Sequence, residues 1–164
     1  MQVMSNILGG GMSSRLFQTV REDSGLCYTI YSFSATHTDT GYFGVYTALG
    51  RSTERQALEL IRQQVQRFLQ EGPTEDEVRR SVEQLKSGAL MGLENMNSRM
   101  TSNARSEYIY GHPLSADDIV RGYDSVTVAG VHQLARQVLD FDKMAFSAVG
   151  QVSDAAAYEA ILKQ

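Results

Sequence analysis

From Cys27 the chain reads CYTIYSFSAT, and from Gly41 it reads GYFGVYTALG. Both runs are rich in β-branched and aromatic residues, as strands are. Turn chemistry, HTDTG, separates them. Together they predict one antiparallel hairpin over residues 27 to 49. Along its first strand Cys27, Thr29, Tyr31, Phe33 and Ala35 share one face, and Tyr28, Ile30, Ser32 and Ser34 share the other. After Gly50 the hydrophobic period turns helical and stays so for most of the remaining chain. Little of the chain is therefore left to form strands beside that hairpin.

The helices announce themselves by spacing and caps. Val3, Met4, Ile7 and Leu8 mark a first helix that Gly9-Gly10-Gly11 ends. Ser13 or Ser14 can cap a second, with Leu16, Phe17 and Val20 on its apolar face and Gly25 as its left-handed stop. Leu58, Ile61, Val65, Phe68 and Leu69 define a long amphipathic helix closed by Gly72-Pro73. Thr74 and Glu77 form a capping box for the next, along Val78, Val82, Leu85, Ala89 and Leu93. Further helices are expected over residues 97 to 110, after Ser115, after Thr127 and after Ser153. KMAFSAVG, residues 143 to 150, predicts a third strand. The expected class is α+β: an antiparallel sheet of the hairpin 27–49 plus strand 143–150, helices on one face, and one domain spanning 1–164. That sheet is thin for so much helix, and an uncovered strand edge is a liability. Strands belonging to it are expected to be missing from the N-terminal side.

Composition narrows the function. The chain has 164 residues, 42% of them hydrophobic and 21% charged, enough to bury a core. The net charge is −4 and the basic residues form no stripe, which argues against nucleic-acid binding. No apolar run is long enough for a membrane span, and MQVMSNILGGGM lacks the basic leader and apolar core of a secretory signal. The single cysteine, Cys27, can form no internal disulfide and reads as a buried thiol. His37, His112 and His132 share no ligand spacing, so no metal is expected on this chain. The triple glycine lacks the Gly-Lys-Ser/Thr ending of a phosphate loop and reads as a flexible turn, able to touch an extended ligand.

The stretch TVREDSGLCY carries one chemical possibility. Arg21 has an ordinary reading as a cation at a helix C-terminus, and Tyr28 as a strand aromatic. Across a tight Ser24-Gly25 turn, however, guanidinium and phenol can project to one side. Both donate hydrogen bonds, and the arginine is charged at any working pH. Such a pair can hold a peptide carbonyl or stabilise an oxyanion.

LGGGMSSRLFQTVREDSGLCYTIYSF resembles the second-half signature of the zinc metallopeptidases that include insulinase, pitrilysin and the mitochondrial processing peptidase. The similarity continues through DTGYFGVYTALG, LENMNSRM and KMAFSAVG, and is closest to the short bacterial members related to the processing peptidase. The resemblance implies an incomplete half-domain of the processing-peptidase type, truncated at its N-terminal side. In that family two halves close as a clamshell. The first half holds zinc through an inverted H-x-x-E-H, and the second lacks zinc but contributes an arginine and a tyrosine, which match Arg21 and Tyr28. A glycine-rich peptide-guiding loop falls near Gly9, Gly10 and Gly11, although its long insertion is absent here. The implied function is the substrate-binding, non-zinc half of a zinc endopeptidase, inactive alone, with zinc in the complete enzyme and none on this chain. The implied partners are a zinc-binding catalytic half and a peptide substrate, with no nucleic acid and no membrane. Self-association of the fragment and a bacterial cytoplasmic location are also expected. The alternative is a catalytically silent scaffold or assembly subunit of the same fold.

Overall fold

The computed structural model describes residues 1 to 163. Helix α1 (Gln2–Gly9) leads through a turn to a π-helical segment (Phe17–Asp23). The hairpin follows as β1 (Cys27–Thr36) and β2 (Gly41–Leu49). Then come α2 (Glu54–Glu71), α3 (Glu75–Gly92), α4 (Met96–Tyr110), α5 (Ala116–Asp124), α6 (Val128–Val138), a 3-10 turn (Phe141–Lys143) and α7 (Ala155–Leu162). No helix among the described residues is long and apolar enough to cross a membrane.

Most of the expected caps form; neither Ser13 nor Ser14 caps the second helix, and the Ser14 hydroxyl donates to the Gly11 carbonyl instead. Thr74 and Glu77 make a reciprocal capping box at α3, Ser115 and Asp118 make another at α5, and Thr127 accepts from the Gly130 N–H at α6. Each satisfies backbone donors that a helix start leaves open. The last helix is capped one residue later than expected. Asp154 accepts from the Ala157 N–H, while the Ser153 N–H donates to the Tyr158 hydroxyl.

Three buried clusters hold these elements. Val3, Met4, Ile7 and Leu8 of α1 meet Phe68, Val78, Val82, Val131 and Ala135. Leu16, Val20, Leu26 and Ile30 meet Ala57 and Ile61 of α2. Leu58 meets Tyr158, Ile161 and Leu162 of α7. The α+β class therefore stands, with helices on one face of an antiparallel hairpin. Ile30 and Ser32 are buried on that face, whereas Tyr31, Phe33, Tyr42 and Tyr46 are exposed on the other.

The expected third strand does not form. Among the described residues the sheet has two strands, and the run from Met144 to Val149 is irregular and unpaired. A strand needs a ladder neighbour for its backbone groups, and none lies beside this run. Two of its side chains, Met144 and Phe146, turn to the helices instead, while Val149 is fully exposed. Phe146 stacks on Tyr158 at 4.7 Å between ring centroids, and Met144 packs on the Leu58 cluster.

Helix α1 lies unusually close to β1. The Ser5 and Ser32 hydroxyls are 3.0 Å apart, and Ser32 also donates to the Ser5 carbonyl at 2.6 Å, so both buried polar groups are satisfied. A Cβ on Gly9 would sit 2.5 Å from the Ser32 backbone nitrogen. Gly9→Ala is therefore expected to force the two elements apart and destabilise the fold by about 1–3 kcal/mol. Urea denaturation of the variant checks this, and an unchanged midpoint would count against the close approach.

Candidate functional site

The segment carrying the site is anchored first. Arg15 donates from Nε and Nη2 to the two carboxylate oxygens of Glu77, both at 2.7 Å. Its Nη2 also donates to the Gly72 carbonyl at 2.9 Å, and its guanidinium lies 4.9 Å from the centre of the Phe68 ring. Glu77 already serves the α3 capping box through the Thr74 N–H. Arg15 thus ties the π-helical segment to the end of α2 and the start of α3. Burial alone pushes the Glu77 carboxyl up, but the Arg15 and Thr74 hydrogen bonds outweigh it and hold the group down at about 2.

From this anchor the chain enters a helix that is wider than expected. Residues 17 to 23 are π-helical rather than α-helical. The closing turn is widened to match. The Leu26 N–H reaches the Val20 carbonyl and the Gly25 N–H reaches the Arg21 carbonyl, both at 3.0 Å, spanning six and four residues. The usual closing bonds each span one residue fewer. Ser24 donates its hydroxyl to the Thr19 carbonyl at 2.7 Å. Gly25 takes φ of 61° to turn the chain into β1, a conformation that disfavours a side chain.

A second irregularity follows at once. Cys27 pairs with Leu49, yet Thr29 pairs with Ala48, so Tyr28 is an extra residue in β1. This β-bulge breaks the simple alternation. Cys27, expected on the face of Tyr31 and Phe33, instead packs half-buried against the Leu16–Val20–Ile30 cluster beside Leu49. Tyr28, expected to share a face with buried Ile30, is 83% exposed. Bulges re-aim side chains in this way.

The π-helical segment and the bulge bring Arg21 and Tyr28 together. The Arg21 guanidinium carbon lies 5.3 Å from the centre of the Tyr28 ring and 4.5 Å from that of Phe17. Arg21 is 35% exposed along its side chain. Its nearest carboxylate, on exposed Glu22, is 3.7 Å away, beyond hydrogen-bond distance. Among the described residues neither the guanidinium nor the Tyr28 hydroxyl makes a hydrogen bond. The two side chains thus present donors on one open surface. Phe17 had been read only as part of an apolar helix face, and Arg15 had been assigned no role.

The other candidates lie elsewhere. Gly9 is buried against Ser32, so close packing accounts for its missing side chain. Gly10 and Gly11 lie in the turn after α1, where Gly11 accepts the Ser14 N–H and hydroxyl at its carbonyl. The histidines are scattered. His37 is in the hairpin turn, His112 has a ring nitrogen on the Pro113 carbonyl, and His132 has Nε2 2.8 Å from the Leu69 carbonyl. Among the described residues no three His, Cys, Asp or Glu side chains gather where a metal could sit. The described residues therefore offer no ligand set that fits zinc.

With this geometry in view, comparisons with known proteins give a consistent result. The family model described as the peptidase M16 inactive domain matches residues 1–85, which include Phe17, Arg21 and Tyr28. An uncharacterized zinc protease of Streptomyces coelicolor is 38% identical over 154 residues, covering 94% of this chain and 33% of that protein. One of Bacillus subtilis is 37% identical over 140 residues, covering 85% and 34%. The crystal structure of a peptidase M16 inactive domain from Pseudomonas fluorescens matches with a TM-score of 0.74 at 26% identity, over 87% of this chain and 34% of that one. The chain spans about a third of the length of these curated relatives. These matches show the family: the chain belongs to the peptidase M16 family, and residues 1–85 match its inactive domain.

Proposed function

We propose that this chain is the substrate-binding, non-zinc half of a zinc metalloendopeptidase. The observation that carries the reading is the pairing of Arg21 with Tyr28, 5.3 Å apart across a widened helix end and a bulge, with the hydrogen-bonding donors of both left without partners among the described residues. Open to solvent, the Tyr28 hydroxyl and the Arg21 Nη groups are committed to no internal partner among the described residues, so a ligand can take them. Two donors held together on an open surface suit a ligand acceptor. A substrate peptide carbonyl is such an acceptor, and it gains negative charge during hydrolysis. A permanently charged guanidinium and a phenol stabilise that charge better than they stabilise the neutral carbonyl, which is what lowers a barrier. On this reading zinc is held by the other half of the complete enzyme, in keeping with relatives named zinc proteases and with the scattered ligands of the described residues here.

The reading is tested by reconstitution. This chain and a zinc-bearing M16 half are prepared separately, and hydrolysis of a quenched-fluorescent peptide library is followed. Neither part is expected to cleave alone, and the mixture is expected to cleave in a manner that chelator abolishes. Assembly into a stable complex without peptide cleavage would instead support a scaffold subunit of the same fold.

A further inference from the structure

We propose that Phe17 is a positioning residue for Arg21, and through it for the carbonyl-holding pair. The inference rests on the peptidase reading above. Its starting point is what Phe17 does not do. Its ring is half-buried, yet it belongs to none of the three buried clusters and to no aromatic pair among the described residues. Leu16 and Val20 beside it are wholly buried in the core shared with β1 and α2. The partner that Phe17 does have is the Arg21 guanidinium, 4.5 Å from its ring centre and closer than Tyr28 is.

The chemistry of a guanidinium makes this contact useful. All five N–H donors lie in its plane, and its two faces carry none. An aromatic ring laid on a face attracts the cation through its quadrupole and leaves the donor edge open. An ion pair would instead occupy that edge. The Arg21 guanidinium carbon lies over the Phe17 and Tyr28 rings, and its loose ion pair with Glu22, at 3.7 Å, reaches only Nε. The rings therefore restrain the side chain while its Nη donors remain available. A long arginine side chain on a surface otherwise samples many rotamers, and ordering it at the moment of reaction would raise the barrier. The π-helical segment sets the contact, since Phe17 begins it and Arg21 lies one turn along it.

The test is a double-mutant cycle on turnover in the complete protease, this chain together with its zinc-bearing half. Phe17→Leu keeps the bulk and removes the ring face. It is expected to lower kcat about 3- to 30-fold with little change in KM, the range a cation–π contact allows. In an Arg21→Ala background, Phe17→Leu is expected to cost no more than about twofold, because its effect runs through Arg21. Phe17→Trp restores a ring and is expected to recover most of the turnover. The chain contains no tryptophan, so this variant also gives a single emission signal that should shift when Arg21→Met is added. A loss from Phe17→Leu that persists in the Arg21→Ala background overturns the proposal in favour of a packing role. Full turnover in Phe17→Leu alongside a clear loss in Arg21→Ala also overturns it, while leaving the peptidase reading intact. Full turnover in Arg21→Ala itself marks the failure of the peptidase reading, and the positioning role falls with it.

Discussion

Arg21→Ala in the complete protease is expected to lower kcat by about 10²–10³ with zinc content unchanged, the usual effect of removing one donor aimed at developing negative charge. Tyr28→Phe keeps the ring over Arg21 and removes only the hydroxyl, so it isolates the phenol donor. Its loss is expected to fall in the same range or somewhat below it. The double variant should cost less than the product of the two, because both donors serve one oxygen. Folding provides the control. Tyr28 is 83% exposed and lies outside the buried clusters, so Tyr28→Phe should not move the thermal midpoint by more than a degree or two, while Arg21→Ala, which loses its ring contacts, should lower it by no more than a few degrees. Steady-state kinetics and metal analysis on purified variants decide the matter. Unchanged turnover in both variants would return Arg21 and Tyr28 to the ordinary roles of helix-end cation and strand aromatic.

The second large effect is one of stability and pH. Glu77 is held down at about 2 from an ordinary value of 4.5, and its side chain is 19% exposed. A carboxyl with a depressed folded-state value binds its proton more readily when the chain is unfolded. Its contribution is therefore complete above pH of about 4.5 and is lost as pH falls towards 2. After allowance for partial exposure, the shift corresponds to about 2–3 kcal/mol. Glu77→Gln should lose about that much at pH 7, and more if Arg15 is left poorly paired. That corresponds to a fall of about 5–10 °C in Tm for a chain of this size. The variant and the parent should draw together below pH of about 4 and converge only as pH reaches about 2. Urea titrations from pH 2 to pH 7 test this, and parallel curves across the whole range would show that the Arg15–Glu77 pair does not govern acid stability.

Much of this molecule could be read before it was seen, because much of it is decided locally. A cap such as Thr74 with Glu77 needs only residues three apart. The hairpin needs only alternation and a turn, and α2 needs only the spacing of Leu58, Ile61, Val65 and Phe68. The failures share a different cause. Residues 143 to 150 have the composition of a strand, but a strand exists only beside another strand, and composition says nothing about that neighbour. The π-helical segment and the bulge at Tyr28 are each a matter of one extra residue, and one extra residue leaves no mark in composition or period. The pairing of Arg21 with Tyr28 was legible as a spacing. The Phe17 contact and the anchoring by Arg15 were not: the first depends on how the Arg21 side chain folds back on its helix, the second on partners about 60 residues away in the chain.

The widened turn also sets a rule of counting. A π-helical turn is an α-helix carrying one surplus residue. Deleting a single residue from the interior of the Phe17–Asp23 segment would let the helix relax to its commoner form, with better-aligned backbone hydrogen bonds. The flanking helix would keep nearly the same register, but a deletion between Phe17 and Arg21 would shorten their spacing from four residues to three. A chain shortened in this way would be a sound helix with the guanidinium shifted off its ring. Selection for thermal robustness alone would favour such a loss, so in this segment length itself is subject to functional constraint, apart from the identity of any residue. A library of one-residue deletions across the segment would reveal this as variants that melt no lower than the parent and cleave nothing.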